Sequence, residues 1–177
     1  MEAEMNWLSN IEARLQHERL RVALAQDHDS ADVTAFIVEM LRRDSQELWT
    51  ADDLHRVGSY YARHGGRFLI IRDFQGNVVG TGAYKKVDGT RVELRRLYLD
   101  PSLRGKGVAK LLILELIAEA RSLGFSVMEL KTASTCTEAI QLYKKLGFRS
   151  LHSADDSGPI HFELDLHSES HQSLGRL

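Results

Sequence analysis

Residues 91–124 read RVELRRLYLDPSLRGKGVAKLLILELIAEARSLG: a strand-like segment, a turn holding two glycines and two cations, and a long apolar run. Val92 and Leu94 set an apolar face on even positions, whereas Leu97 and Leu99 continue it on odd ones, so the alternation slips by one around Arg95 and Arg96. Two readings account for the slip. Either a β-bulge inserts the extra residue, or the strand is buried on both faces, which Tyr98 also permits. A bulge has a chemical consequence, because it leaves backbone N–H and C=O groups unpaired in the middle of a sheet. An extended ligand that carries amides can satisfy them.

Beyond the strand, Gly105 and Gly107 let the backbone approach a pyrophosphate closely and take dihedrals closed to other residues. The first N–H groups of the helix that follows have no partner inside it, and its dipole adds partial positive charge. Arg104 and Lys106 supply full charges beside them. Ala109, Leu112, Ile113, Leu116, Ile117, Ala120 and Leu123 form one broad stripe that pins the helix to a sheet, with Glu115, Glu119 and Ser122 on the far side. The turn is neither of two better-known phosphate loops. A Walker-type loop needs Gly-Lys-Ser/Thr, whereas Lys106 is followed by Gly107 and Val108, and Lys110 stands where a dinucleotide motif needs its third glycine.

Upstream, FLII at 68–71, VVGTGAY at 78–84 and the strand at 91–99 are separated by FQGN and VDGT, turn clusters that join antiparallel strands. Before this meander, 30–44 reads as a helix capped by Ser30 with a stripe of Val33, Phe36, Ile37 and Met40. Residues 50–66 read as a second helix stopped by paired glycines, 5–17 as a short leading helix, and RVALAQ after it as a strand. Downstream, SVMEL at 126–130 completes a strand, helix, strand unit long enough for a right-handed parallel crossover. A helix at 137–146 has Thr135 and Glu138 at capping-box spacing and Gly147 as its stop. In IHFELDL at 160–166, Ile160, Phe162, Leu164 and Leu166 alternate with His161, Glu163 and Asp165, as in a half-buried strand. The expected fold is α/β (α+β): a mixed central sheet with an antiparallel meander, a bulged strand, a parallel βαβ crossover and a C-terminal strand pair. One domain is expected over residues 1–177, with 167–177 as a flexible tail.

With 43% hydrophobic and 27% charged residues and a net charge of −2, the composition marks neither a nucleic-acid binder nor a polybasic membrane protein. Cys136 is the single cysteine, which excludes an internal disulfide and fits a reducing compartment. The acidic N-terminus lacks the basic flank of a secretory signal, and LLILELIA is too short to span a bilayer, so the expected location is the cytoplasm.

The strand at 91–99, the run Arg104-Gly105-Lys106-Gly107-Val108-Ala109 and the segment EAIQLYKKLGF at 138–148 together resemble the GCN5-related N-acetyltransferase (GNAT) superfamily. Its hallmark Q/R-x-x-G-x-G/A is filled by Arg104, Gly107 and Ala109. Its second hallmark, a helix ending in tyrosine shortly before Leu-Gly-Phe, is met by Tyr143 and Leu146-Gly147-Phe148. The match covers about residues 66–166. It implies acetyl-coenzyme A as acyl donor and no metal. The pantetheine arm would lie along Leu97, Tyr98 and Leu99, and the pyrophosphate on the N–H groups of Gly105, Lys106, Gly107, Val108 and Ala109 beside Arg104. Many relatives carry an asparagine before the last helix as a further cofactor contact; this chain has Ser134 and Thr135 there.

Acetyl transfer needs a neutral amine, whereas an alkylammonium titrates near pH 10, so a base must remove a proton. Glu93 occupies the strand position where many superfamily members carry that base, with Glu129 on the neighbouring strand as reserve. Tyr143 is the candidate acid for the departing thiolate, and a bulge N–H at Tyr98 or Leu99 the candidate donor to the oxyanion. An acyl-cysteine on Cys136 has no identifiable partner base. The HGG at 64–66 lacks a nucleophile elbow, and the histidines lack metal-ligand spacing. Asp52, Asp53, Asp155 and Asp156 would suit a cationic acceptor, but acidic residues in such places are more often caps and solvated turns. The acceptor is therefore an amine, of a small molecule or amino acid or else of a protein. A coenzyme-A-binding sensor or interaction module without catalysis is the rival class, and a homodimer through the leading helix or last strand is compatible with either.

Overall fold

A computed structural model of the chain describes residues 15, 19–44, 52–151 and 158–168. Apart from Leu15, the leading helix lies outside the described residues, as do Asp155, Asp156 and the end of the tail. The elements are β1 (Arg21–Leu24), α1 (Ser30–Arg43), α2 (Val57–Arg63), β2 (Arg67–Arg72), β3 (Val78–Lys86), β4 (Arg91–Leu99), α3 (Val108–Ser122), β5 (Val127–Thr132), α4 (Thr137–Lys145), β6 (Arg149–Ser150) and β7 (Ile160–Asp165). They build a seven-stranded sheet in the order β1-β2-β3-β4-β5-β7-β6. All neighbours are antiparallel except β4 and β5, which α3 connects in parallel. The meander, the crossover and the final strand pair expected from the sequence are all present.

Two apolar layers sandwich the sheet. On one face, Leu112, Ile113, Leu116 and Ile117 of α3, with Tyr143 of α4, pack against Leu69, Ile71, Tyr84, Val92, Leu94, Met128, Leu130, Phe162 and Leu164. On the other, Val33, Phe36, Ile37 and Met40 of α1, with Val57 and Tyr61 of α2, cover Phe68, Ile70 and Ala83. Each fully buried aliphatic side chain contributes about 1.5–3 kcal/mol, so α3 alone accounts for a large part of the adhesion. It sits close because β3 has glycine beneath it: a Cβ on Gly82 would stand 2.7 Å from Leu112 Cδ2.

Four local expectations are corrected. Ser30 is the first residue of α1 rather than its cap, and its hydroxyl instead accepts from Val57 N at 3.1 Å. That bond, with Asp27 Oδ1 accepting from Ser59 N at 2.7 Å, takes up the first N–H groups of α2, so the helix begins at Val57 and residues 52–56 are turns. Thr135 makes no capping box: Thr137 N bonds to the Thr135 carbonyl, and the N-cap position falls on Cys136, whose side chain does not cap the helix. On α3, Glu119 is buried against Arg67, at 3.0 Å, while Leu123 lies past the end of the helix and is exposed.

Candidate active site

The slip at Arg95 and Arg96 is a bulge. Arg95 pairs with Ala83 and Tyr98 with Thr81, so Arg96 and Leu97 together oppose Gly82. Before it, Val92 and Leu94 face α3; after it, Leu97 and Leu99 do, and Tyr98 packs on the α1–α2 side. The alternative of a strand buried on both faces is set aside by this change of parity. Arg96 takes a left-handed φ of 52°, rare for a side chain that is not glycine. Its carbonyl accepts from Thr81 Oγ1 at 2.7 Å. Its guanidinium reaches the carboxylate of Asp53 through Nε at 2.9 Å and Nη2 at 2.6 Å, and Tyr61 Oη donates to the same carboxylate at 2.7 Å.

The bulge borders a gap in the sheet. The β4–β5 ladder holds only Arg91 to Glu93 against Val127 to Glu129, although β4 runs on to Leu99 and β5 to Thr132. From Leu94 and Leu130 onward the facing edges have no register partner. Because the two strands are parallel, their C-terminal ends share one side of the sheet, where open α/β sheets present ligand crevices. The Ser134–Thr135 turn leaves β5 at that side, exposed, and α3 starts there.

Between β4 and α3 the chain makes a short turn at Pro101–Leu103, capped by Asp100, whose side chain accepts from Ser102 N at 2.9 Å. Gly105 and Gly107 then both take left-handed φ values, 73° and 78°, and a Cβ on either would meet no atom within 4 Å. The positive φ, rather than crowding, calls for glycine there, and the space in front of the turn is open. The first intrahelical bond runs from Leu111 N to Gly107 O, which leaves the N–H groups of Val108, Ala109 and Lys110 in the unbonded first turn. Arg104, 3.6 Å from Asp44, and Lys106 are exposed beside them. A helix mouth of this kind is suited to an anionic group, and an unpaired strand edge to a chain that carries amides.

Glu93 stands on the last paired step of the β4–β5 ladder, with Lys85 Nζ at 3.8 Å and Arg95 Nε at 3.7 Å. Both distances leave its carboxylate without a close hydrogen bond from those cations. Glu129 is engaged instead: Arg91 Nε donates to it at 3.0 Å, and the same arginine binds Glu163. Tyr143 is buried, with its ring 5.8 Å from Phe148 and 6.0 Å from Phe162. Burial first, and then the neighbouring Cys136 and Tyr98, push its phenol above the usual range, so it keeps its proton. Asp53 does not serve a cationic acceptor: it is 2% exposed and committed to Arg96. The Arg96–Asp53–Tyr61 cluster was not found from the sequence, where Asp53 reads as one of a pair of turn aspartates. Among the described residues, no three His, Cys, Asp or Glu side chains gather to hold a metal ion, and no helix is long and apolar enough to cross a membrane.

The profile described as the acetyltransferase (GNAT) family matches residues 34–148. The chain belongs to this family. Among GNAT relatives, an uncharacterised N-acetyltransferase of Escherichia coli, YjgM, is 36% identical over 103 residues, which are 56% of this chain and 59% of that one. An uncharacterised N-acetyltransferase of Schizosaccharomyces pombe is 33% identical over 73% of this chain and 80% of its own. The N-acetylaspartate synthetase of Danio rerio is 35% identical over 59% of this chain but only 37% of its own. Solved structures agree on the GNAT fold. A GNAT acetyltransferase of Staphylococcus aureus superposes with a TM-score of 0.75 over 83% of this chain and 99% of its own at 18% identity. An acetyltransferase of Salmonella typhimurium, solved with acetyl-CoA, gives 0.65 over 84% and 95% at 24% identity.

Proposed function

We propose that this protein transfers an acetyl group from acetyl-CoA to the primary amine of a small molecule or amino acid, directly and without an acyl-enzyme, in the cytoplasm. The observation that carries the reading is the continuity between the unpaired edge of β4 and the N–H groups at the mouth of α3. Acetyl-CoA supplies the activated acyl group. Leu97, Tyr98 and Leu99 bind its pantetheine amides as an extra half-strand, while Gly105 to Ala109, with Arg104 and Lys106, hold the diphosphate and Ser134 or Thr135 adds a hydroxyl contact. Glu93 takes the ammonium proton, directly or through water, and the freed amine attacks the thioester carbon. The amide of Tyr98 or Leu99 donates to the oxygen as it gains charge. On collapse the carbon–sulfur bond breaks, Tyr143 gives its proton to the departing sulfur, and the cationic nitrogen of the intermediate loses its second proton to the resulting tyrosinate, directly or through water.

The surroundings of Glu93 favour an acceptor that carries negative charge of its own. Lys85 and Arg95 flank the base, so an amino acid's carboxylate finds a cation beside the group that deprotonates its amine, whereas a polyamine meets repulsion. The likeness to an N-acetylaspartate synthetase supports the same class.

Thiol release from acetyl-CoA, measured over a panel of amino acids, polyamines and peptides, tests the proposal. Turnover with an amine is expected, with Glu93→Gln lowering kcat about 10²–10⁴-fold and Tyr143→Phe also lowering it. If calorimetry detects coenzyme A binding while no amine is acetylated, the protein is a binding module instead. If Cys136→Ser abolishes turnover, direct transfer is wrong.

A further inference from the structure

Behind the bulge stand three groups that no step of acetyl transfer uses: Asp53, Tyr61 and Arg96. Arg96 combines two unfavourable features in one residue. A left-handed φ is strained for an arginine, and a guanidinium only 10% exposed loses most of its hydration. A buried ion pair is weak evidence for added stability, since apolar residues often serve that purpose as well or better. What it does supply is geometry. Nε and Nη2 grip both oxygens of Asp53, which fixes the guanidinium plane as well as its distance. Tyr61 holds the carboxylate from behind and is itself anchored in the α1–α2 core, its ring edge-on to Phe68 at 5.1 Å. Thr81 meanwhile fixes the Arg96 carbonyl from β3. Side chain and backbone of the bulged residue are thus tied to different elements, and the chain leaves it directly into Leu97, Tyr98 and Leu99.

We propose that Asp53, backed by Tyr61, is a positioning residue for acetyl transfer: it locks Arg96 in its left-handed conformation and so aims the amides of Leu97 to Leu99 at the thioester. The assignment rests on the cleft between β4 and β5 as the donor site, and it adds that the turn before α2 and the α1–α2 layer behind it set the geometry of that side. Burial alone would raise the carboxyl of Asp53, but the hydrogen bonds and charge of Arg96, with the Tyr61 hydroxyl, hold it below its ordinary value, so the clamp is ionised at neutral pH.

The test uses Tyr61→Phe, Asp53→Asn and Arg96→Lys, each assayed well below its unfolding midpoint, with kcat and KM for acetyl-CoA measured separately and the Leu97 to Leu99 amides followed by ¹H–¹⁵N spectra. For Asp53→Asn, kcat is expected to fall roughly ten- to hundredfold, while coenzyme A affinity, set largely by the turn at 104–109, changes by less than about threefold. Arg96→Lys keeps the charge without the two-point grip and is expected to resemble Asp53→Asn. Tyr61→Phe removes one hydroxyl, is the variant safest for folding, and is expected to fall between these and the wild type. A merely structural role would lower the unfolding midpoint yet leave kcat and the amide positions as in the wild type, and that result overturns the proposal. If the wild-type protein acetylates nothing, the functional reading fails on its own. The spectra with coenzyme A alone still decide the clamp: shifted Leu97 to Leu99 amides in Asp53→Asn uphold it, and superimposable ones refute it.

Discussion

Strand β4 carries two arginine–carboxylate clusters five positions apart, and they differ in kind. Arg91 meets Glu129 and Glu163 across β5 and β7 with all three side chains a quarter to a third exposed. Arg96 meets Asp53 with 10% and 2% exposed. The first joins residues on an open sheet face, where water and salt screen the charges and little stability results. The second is withdrawn from water, so its members depend on each other and on Tyr61. Within one strand, the half that pairs with β5 is fastened by surface charge, and the half that does not is fastened by a buried clamp. The buried clamp stands where β4 keeps β3 as a neighbour but has lost β5.

The contrast can be broken most forcefully at Asp53. Asp53→Ala leaves the Arg96 guanidinium buried without its counter-charge and should lower the unfolding free energy by about 3–5 kcal/mol, read from urea midpoints; a loss under about 1 kcal/mol would put this pair in the same class as the surface one. Acid should dissect the same pair. The folded-state pKa of Asp53 is depressed, and its unfolded value is about 3.9, so its contribution is complete above that value and is lost as pH falls through the folded one. The difference in urea midpoint between the wild type and Asp53→Asn should accordingly be widest near neutrality and close below about pH 4. At the other cluster, Arg91→Ala should cost no more than about 1 kcal/mol. Most of that small cost should vanish at about 1 M salt, where the screening length is about 3 Å, while the Asp53→Ala deficit persists. A last, smaller effect concerns pH and rate: Tyr143 keeps its proton past its ordinary value, so no loss of kcat from this group is expected up to about pH 10.

What could be read beforehand follows from how local the cause is. The change of parity between Leu94 and Leu97 was visible, because a strand's side chains alternate with a period of two and any extra residue shows, although the pattern left a bulge and a strand buried on both faces equally open until the β3 register was known. The glycine turn and the stripe on α3 are likewise written in contiguous residues, and so were the strand limits of β4. Glu119, Ser30 and Asp53 were misjudged for the opposite reason. Their partners Arg67, Val57 and Arg96 lie 27 to 52 positions away in the chain, and polar residues on a helix or turn look solvated until the tertiary partner is known. Thr135 had the spacing of a cap but gave its carbonyl rather than its hydroxyl. Of the site, the motif residues were legible; which carboxylates are engaged elsewhere, as Glu129 is with Arg91, was not.

The parallel seam between β4 and β5 is three residues long, whereas β5 is bound to β7 along six. Function here would depend on hydrogen bonds that the fold withholds. Substitutions that persuaded the seam to zip two residues further would seal the crevice and silence the protein with every reactive side chain still in place, a kind of lesion that no inspection of Glu93 or Tyr143 would reveal.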